Sequence, residues 1–183
     1  KIMIKPLGSD TLNPLYVQDD AKRAELAKEA EGLPSIVVSS AAAANAVMLG
    51  GGYFNPFTGY MNVADSVSVA EKMQNTAGQF WPVPILNVVK DASAVKDAKR
   101  IALRDPNVEG NPVIAVMDVE AIEEFTADQM KMMTEKIFAT DDPEHPGVAA
   151  FNSVGNVCFS GPIQVLNYSY FADEFEGTFK TSY

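Results

Sequence analysis

The run Gly50-Gly51-Gly52-Tyr53-Phe54-Asn55-Pro56-Phe57-Thr58-Gly59-Tyr60-Met61 punctuates the chain, with helix-like segments on either side at 41–49 and 63–75. Three consecutive glycines stop the first helix, because glycine takes positive φ without steric cost. Pro56 fixes its own φ and pushes Asn55 out of the helical region, so the aromatics leave on a rigid turn. Tyr53, Phe54, Phe57 and Tyr60 are too apolar for a floppy surface loop, and the expectation is that they pack back onto the domain. A phosphate-binding loop is the rival reading of the glycines. It requires glycine, four residues, then Gly-Lys-Ser/Thr, and the run has neither the lysine nor the spacing. A G-x-G-x-x-G pattern fails as well, since Asn55 stands where the last glycine belongs. Helix termination is the expected role.

On the N-terminal side, 6–14 has turn chemistry, and Leu15-Tyr16-Val17 is a short strand. Asp19 or Asp20 caps a helix over 21–31 that Gly32 and Pro34 end, with Leu26 and Ala30 facing inward. Ile36-Val37-Val38 reads as a buried strand, and Ser39 or Ser40 caps the alanine-rich helix that follows. On the C-terminal side, Val63, Val67 and Ala70 keep helical spacing until Ala77-Gly78. Pro82 and Pro84 make 80–89 an edge or irregular strand. Strands follow at 101–103 and 113–117, joined by Asp105-Pro106-Asn107 and Glu109-Gly110-Asn111. Thr126-Ala127-Asp128-Gln129 is a capping box for a helix to about Phe138, and Asp142-Pro143 opens another short helical turn. Two last strands, 157–160 and 163–166, are separated by Gly161-Pro162. Short strands mixed with short helices, without regular βαβ alternation, give an α+β domain.

With 183 residues, 47% of them hydrophobic, the chain suits one domain with a real core. No apolar run approaches a bilayer-spanning length and no charged-then-apolar leader opens the sequence, so the expected location is the cytoplasm. A single cysteine, Cys158, rules out an internal disulfide framework. The net charge of −10 repels a nucleic-acid backbone, and the basic residues at 22–23 and 96–100 are mixed with acids.

Few residues offer chemistry. His145 is the only histidine, and although Asp141, Asp142 and Glu144 surround it, two prolines and helix-start acids favour a structural turn over a metal site. Cys158, between Val157 and Phe159, reads as a core thiol. Trp81 reads as core or interface. Arg104 is the weak candidate for a site: ending a strand, it could reach a phosphate, a sulfate or a neighbouring domain. The simpler reading is an ion pair with Asp105 that holds the local turn.

The run from Gly51 to Met61 resembles a segment near the start of ATP sulfurylases (sulfate adenylyltransferases), in which Phe54, Pro56, Gly59 and Met61 belong to the family motif. Further blocks match in order: Leu33-Pro34-Ser35-Ile36, Phe80-Trp81-Pro82-Val83-Pro84-Ile85, Ile101-Ala102-Leu103-Arg104-Asp105, Ala115-Val116-Met117-Asp118-Val119 and His145-Pro146-Gly147-Val148. The start Met3-Ile4-Lys5-Pro6 also resembles the family's N-terminus. The resemblance implies a PUA-like pseudo-β-barrel with flanking short helices over 1–168, and a lead-in to the catalytic domain over 169–183. It implies sulfate adenylyltransferase activity for the intact protein, with Mg2+ and ATP bound elsewhere and none expected on this domain. The family's Gln-x-Arg-Asn-Pro-x-His-x-x-His motif is absent, as one histidine cannot form it. The implied partners are the catalytic domain and further copies in a homo-oligomer, with no nucleic acid and no membrane. The alternative is a stand-alone PUA-like binding or assembly module without enzymatic activity.

Overall fold

In the computed structural model, which describes residues 4–170, one long strand near the C-terminal end satisfies the backbone of most others. The elements are α1 (Asp20–Glu31), β1 (Ser35–Val37), α2 (Ser40–Gly50), β2 (Gly59–Tyr60), α3 (Val63–Lys72) and β3 (Val88–Val89). They continue as β4 (Arg100–Arg104), β5 (Val113–Asp118), β6 (Ala121–Glu124), α4 (Ala127–Phe138), α5 (Pro146–Ser153) and β7 (Val157–Val165). The sheet order is β1-β4-β5-β7-β2, with β3 and β6 also on β7, and only β1 and β4 run parallel. Cys158 pairs with Val88 on one edge of β7 and with Glu123 on the other, whereas Val165 pairs with Ala115 and bridges to Tyr16. A strand partnered on both edges along its length leaves no open edge there, and the sheet curls around it.

The curl turns on two glycines. Gly161 has φ +141°, and a Cβ there would lie 2.0 Å from the Asp118 carbonyl oxygen. A Cβ on Gly59 would lie 1.9 Å from the Gly161 oxygen. Three backbones meet at this point with no room for side chains, which is why β7 passes through Gly161-Pro162 as one strand of nine residues. The expected break into two strands is therefore corrected: the glycine bends the strand instead of ending it. β6, whose Ala121-Ile122-Glu123-Glu124 carries little apolar signal, was not expected from the sequence.

Capping decides the helices. Asp19 accepts from the Lys22 N–H at 2.9 Å and Ser39 from the Ala42 N–H at 3.1 Å. Thr126 and Gln129 form the expected reciprocal box. The short helix near 146 starts later than Asp142-Pro143 implied: His145 is its cap and Pro146 its first residue. Leu15-Tyr16-Val17 makes only an isolated bridge through Tyr16. β1 is not a wholly buried strand, since Val37 is 50% exposed while Ile36 and Val38 are buried. α3 ends at Lys72, on the left-handed Met73, well before Ala77-Gly78.

At the glycine run the helix persists through Gly50, and Gly51 keeps a helical φ of −75°. Only Gly52, at φ +76°, uses the left-handed freedom expected of all three. Gly50 serves close packing instead, because a Cβ there would sit 3.0 Å from Val165 Cγ1. Phe54 and Phe57 pack edge-on against Trp81, with ring centroids 5.3 and 4.8 Å away. The buried Tyr60 hydroxyl donates to the Ala42 carbonyl at 2.6 Å. Tyr53, expected inside, is 47% exposed.

The main core gathers Leu49, Met61, Ile101, Leu103 and Phe159 under α2. Leu26 and Ala30 of α1 join Val116 and Leu166 on the opposite face, and Phe125, Met133 and Cys158 form a third cluster beneath α3 and α4. Among the described residues no helix is long and apolar enough to cross a membrane.

Candidate functional site

Arg104 ends β4 at a bulge between Leu103 and Arg104, and its side chain is about three-quarters buried. Nε–H donates to Ser35 Oγ at 3.1 Å, one terminal nitrogen to the Asn111 carbonyl at 3.2 Å, and the other to Glu31 Oε2 at 3.3 Å. The side chain thus ties the end of α1, the start of β1 and the β4–β5 turn together. Its ion-pair partner is Glu31, not the adjacent Asp105 that the local reading expected.

Asp105 points the other way and is fully buried. One carboxylate oxygen accepts the Asn107 N–H at 2.8 Å, and the other accepts the Ser169 hydroxyl. The Asp105 N–H donates to the Pro112 carbonyl at 2.9 Å, and Asn111 Nδ2 donates to the Asp105 carbonyl at 2.7 Å. A carboxylate taken out of water needs such donors, because burial without them costs several kcal/mol, roughly.

The C-terminal exit of the described chain is fastened to the same corner. Asn167 Nδ2 donates to the Val113 carbonyl at 2.7 Å, and its Oδ1 accepts the Ser169 N–H at 2.7 Å. Ser169 holds a left-handed φ of 57°, uncommon for a residue with a Cβ. Tyr168 stacks on Tyr16 at 4.6 Å, and Arg23 lies over the Tyr16 ring at 5.0 Å. Beside this exit runs an open groove of ≈ 320 Å³ lined by Asp20, Arg23, Glu31, Val113, Leu166 and Asn167 among others. The corner is a structured exit with a charged groove beside it. Sequence reading singled out Arg104 and gave Asp105 only as its ion-pair partner at the turn; it missed the bonds of Asp105 to Asn107 and Ser169, and it missed Asn167 and Ser169. The available signals were the Asp-Pro-Asn turn and the Asn-x-Ser spacing, both of which place a side-chain acceptor two residues before a backbone donor.

The other candidates are structural in the described fold. His145 Nδ1 accepts from the Gly147 and Val148 N–H groups at 3.2 and 3.4 Å, which employs the ring as a helix cap. Asp142 accepts the Glu144 N–H at 2.9 Å. Among the described residues no three His, Cys, Asp or Glu side chains are grouped closely enough to hold a metal ion. The Cys158 thiol donates to the Met61 carbonyl at 3.4 Å, and burial, helped by the nearby Glu123 charge, pushes its pKa up to about 12. In the motif run, Phe54 meets Trp81, Pro56 abuts Gly8, Gly59 abuts Gly161, and buried Met61 donates its N–H to the Ile85 carbonyl at 2.9 Å. The Asn55 side chain accepts from the Asn13 N–H and donates to the Leu7 carbonyl and Ser9 Oγ, which pins the N-terminal segment to the loop.

Comparison with known proteins agrees with this architecture. The chain is 62% identical over 180 residues to the sulfate adenylyltransferase of Alcanivorax borkumensis, covering 98% of this chain and 45% of that protein. It is 57% identical to the Allochromatium vinosum enzyme of the same name, again over 98% of this chain and 45% of the relative. The one from the Riftia pachyptila sulfur-oxidizing endosymbiont is 54% identical, with 98% and 41% covered. The chain therefore spans less than half the length of these curated relatives. A solved structure described as the hexameric APS kinase from Thiobacillus denitrificans superposes with a TM-score of 0.61 at 25% identity, over 91% of this chain and 27% of that one. The PUA-like domain family matches residues 4–168, and the chain belongs to that family, in the version carried by sulfate adenylyltransferases.

Proposed function

We propose that the chain is the N-terminal domain of a sulfate adenylyltransferase, with its PUA-like unit over 1–168 and a lead-in to the catalytic domain over 169–183. The lead-in from 171 onward lies outside the described residues. The observation that carries the reading is 62% identity across 98% of this chain to a relative more than twice as long. The whole protein would join ATP and sulfate into adenosine 5′-phosphosulfate and pyrophosphate in the cytoplasm, a sulfate oxygen attacking the α-phosphorus. That reaction needs cationic groups and aligned donors around the transferring phosphoryl group.

The side chains here do not fit that task. Arg23, Arg100 and Arg104 are each paired with a carboxylate: Asp20, Asp118 with Glu29, and Glu31 respectively. Nor does the donor set suit magnesium with its nucleotide, since Asp142 and His145 at the acidic turn are spent on backbone N–H groups. The domain's work is mechanical: it supports the catalytic domain, with Arg104 and the Asp105 corner at the junction, and it contributes subunit contacts. The hexameric assembly named for the Thiobacillus denitrificans neighbour supports the oligomeric part of this reading.

An assay of pyrophosphate release from ATP and sulfate, run on the purified 183-residue chain and on the full-length protein, tests the proposal. Activity in the long form alone is the expected result. Adenylylsulfate synthesis by the short chain, or none by the full-length protein, overturns it.

A further inference from the structure

β7 ends at Val165, yet the chain beyond it stays fastened residue by residue. The Val165 N–H donates to the Leu15 carbonyl at 2.9 Å, and the Leu166 N–H to the Ile114 carbonyl at 2.8 Å. Asn167 Nδ2 holds the Val113 carbonyl, and Tyr168 is buried against the Tyr16 ring. Ser169 bonds twice, its N–H to Asn167 Oδ1 and its hydroxyl to Asp105. The outermost residues of a domain are poorly ordered unless they are tied down. Here every residue from 165 to 169 carries such a tie.

The anchors are themselves held. Asp105 is buried, with its N–H on the Pro112 carbonyl and Asn111 Nδ2 on its own carbonyl. Tyr16 bridges to Val165 and lies beneath Arg23, and Val113 and Ile114 belong to β5, inside the sheet. Ser169 holds φ 57°, a left-handed conformation that a serine keeps where its surroundings impose it. Fixing backbone dihedrals past the end of a strand costs conformational entropy that a loose linker retains.

We propose that residues 166–169, locked onto Asp105, set the orientation of the half of the protein that follows, with Ser169 as the positioning residue. The inference rests on the reading of the chain as the first half of a longer enzyme. Domains of one chain that meet through polar surface move relative to each other by default. The surface beside this exit is of that kind, a groove lined by Asp20, Arg23 and Glu31 among others. Orientation kept against such motion comes from the connecting backbone, and a backbone transmits direction only where its φ and ψ are held. The ties from Val165 to Ser169 supply that hold. Ser169 is where it can be released with the least damage. Glycine at this position removes the hydroxyl and takes φ 57° without steric cost, so the fastening is lost while local strain falls.

The test uses the full-length polypeptide that carries this sequence. One spin label sits at Lys28→Cys, on the exposed side of α1, and another on an exposed residue of the second half, with the native Cys158 buried out of reach. Labelled chains are diluted among unlabelled ones, and pulsed dipolar spectroscopy reads the distance between the labels. Wild type is expected to give one narrow distribution, and Ser169→Gly one at least twice as wide at an unchanged melting temperature. A wild-type distribution as broad as the variant's, or a variant as narrow as wild type, overturns the proposal. Broadening with a lowered melting temperature also overturns it, because the variant then unfolds the corner instead of releasing the exit. Should Ser169→Gly fail to fold, Tyr168→Leu takes its place with the same outcomes, since it removes the stack on Tyr16 and keeps an apolar side chain. Pyrophosphate release measured in parallel separates the two readings. An active enzyme of unchanged width sinks only the positioning role, and an inert full-length wild type sinks only the functional reading.

Discussion

The two ends of α2 are built from different chemistry. At its N-terminal end, Ser40, Asn107, Asp105, Ser169 and Arg104 form a corner of charged and polar bonds around the exit of the described chain. At its C-terminal end, Gly50, Gly51 and Gly52 lead into aromatics, prolines and a Gly59–Gly161 crossing where backbones touch directly. The polar end is specified by hydrogen bonds, each worth about 1 kcal/mol net and replaceable in part by water. The glycine end is specified by excluded volume, which has no substitute. A fold held in both ways can tolerate change at one end and not at the other, and measurements can separate the two.

The largest effect is expected at the crossing. Gly161→Ala places a methyl 2.0 Å from the Asp118 carbonyl and requires an alanine at φ +141°. Neither the clash nor the backbone conformation can relax without parting β7 from β2 and β5. A loss of about 4 kcal/mol or more, read from the urea midpoint, is the expectation. A loss near that of an ordinary surface change would mean that the crossing is looser than the geometry states.

Next comes the polar corner. Asp105→Ala removes the acceptor of the Asn107 N–H and the Ser169 hydroxyl; Asn107 is exposed and Ser169 half-buried, so water replaces part of the bonding and the expected cost is about 1–2 kcal/mol. Asp105→Asn keeps one acceptor and should recover roughly half of that. Amide exchange at Asn107 and Ser169 should quicken in the alanine variant while Tyr60 stays protected. Equal quickening at both would show that the two ends are not independent.

Tyr60→Phe probes a polar bond inside the apolar end. It removes the hydroxyl that donates to the Ala42 carbonyl and leaves the ring buried, for a loss of about 1 kcal/mol in chemical denaturation. Cys158 gives the same end a pH signature. Its folded pKa, raised to about 12 from 9.0, means that its contribution is complete below pH 9 and is lost as pH rises toward 12. A thiol reagent at pH 8 is expected to modify Cys158 only after unfolding.

Much of this contrast was legible in the sequence where the governing physics is local. Asp19, Ser39 and Thr126 cap helices because a side-chain acceptor and a backbone donor stand three residues apart in any context. The aromatics after the glycine run, Trp81 and the strands at 101–103 and 113–117 carried their own burial signal. What was not legible depends on partners distant in sequence. Gly161-Pro162 reads as a break until Gly59 and Asp118 arrive to explain it. Asp105 reads as an ordinary turn residue, and Ser169, 64 positions away, makes it a buried fastening. The location of Tyr53 failed for the opposite reason: its composition says core, yet it lies on the exposed apolar end.

Arg104 supplies the smallest and most discriminating test. It was the residue that sequence alone proposed for a ligand or a neighbouring domain, and its three bonds hold α1, β1 and the β4–β5 turn together. Glu31 is 67% exposed, so water and salt screen the pair, and Arg104→Met should cost no more than about 1 kcal/mol in the 183-residue chain. Part of that difference should fade in 1 M salt, where the screening length falls to about 3 Å, while the Tyr60→Phe difference stays unchanged. In the full-length protein the two roles separate. If Arg104 serves only this corner, the substitution costs the same small amount in long and short forms. A junction residue loses contacts that exist only when the second half is docked, so a larger loss in the long form identifies Arg104 as the bond between the halves.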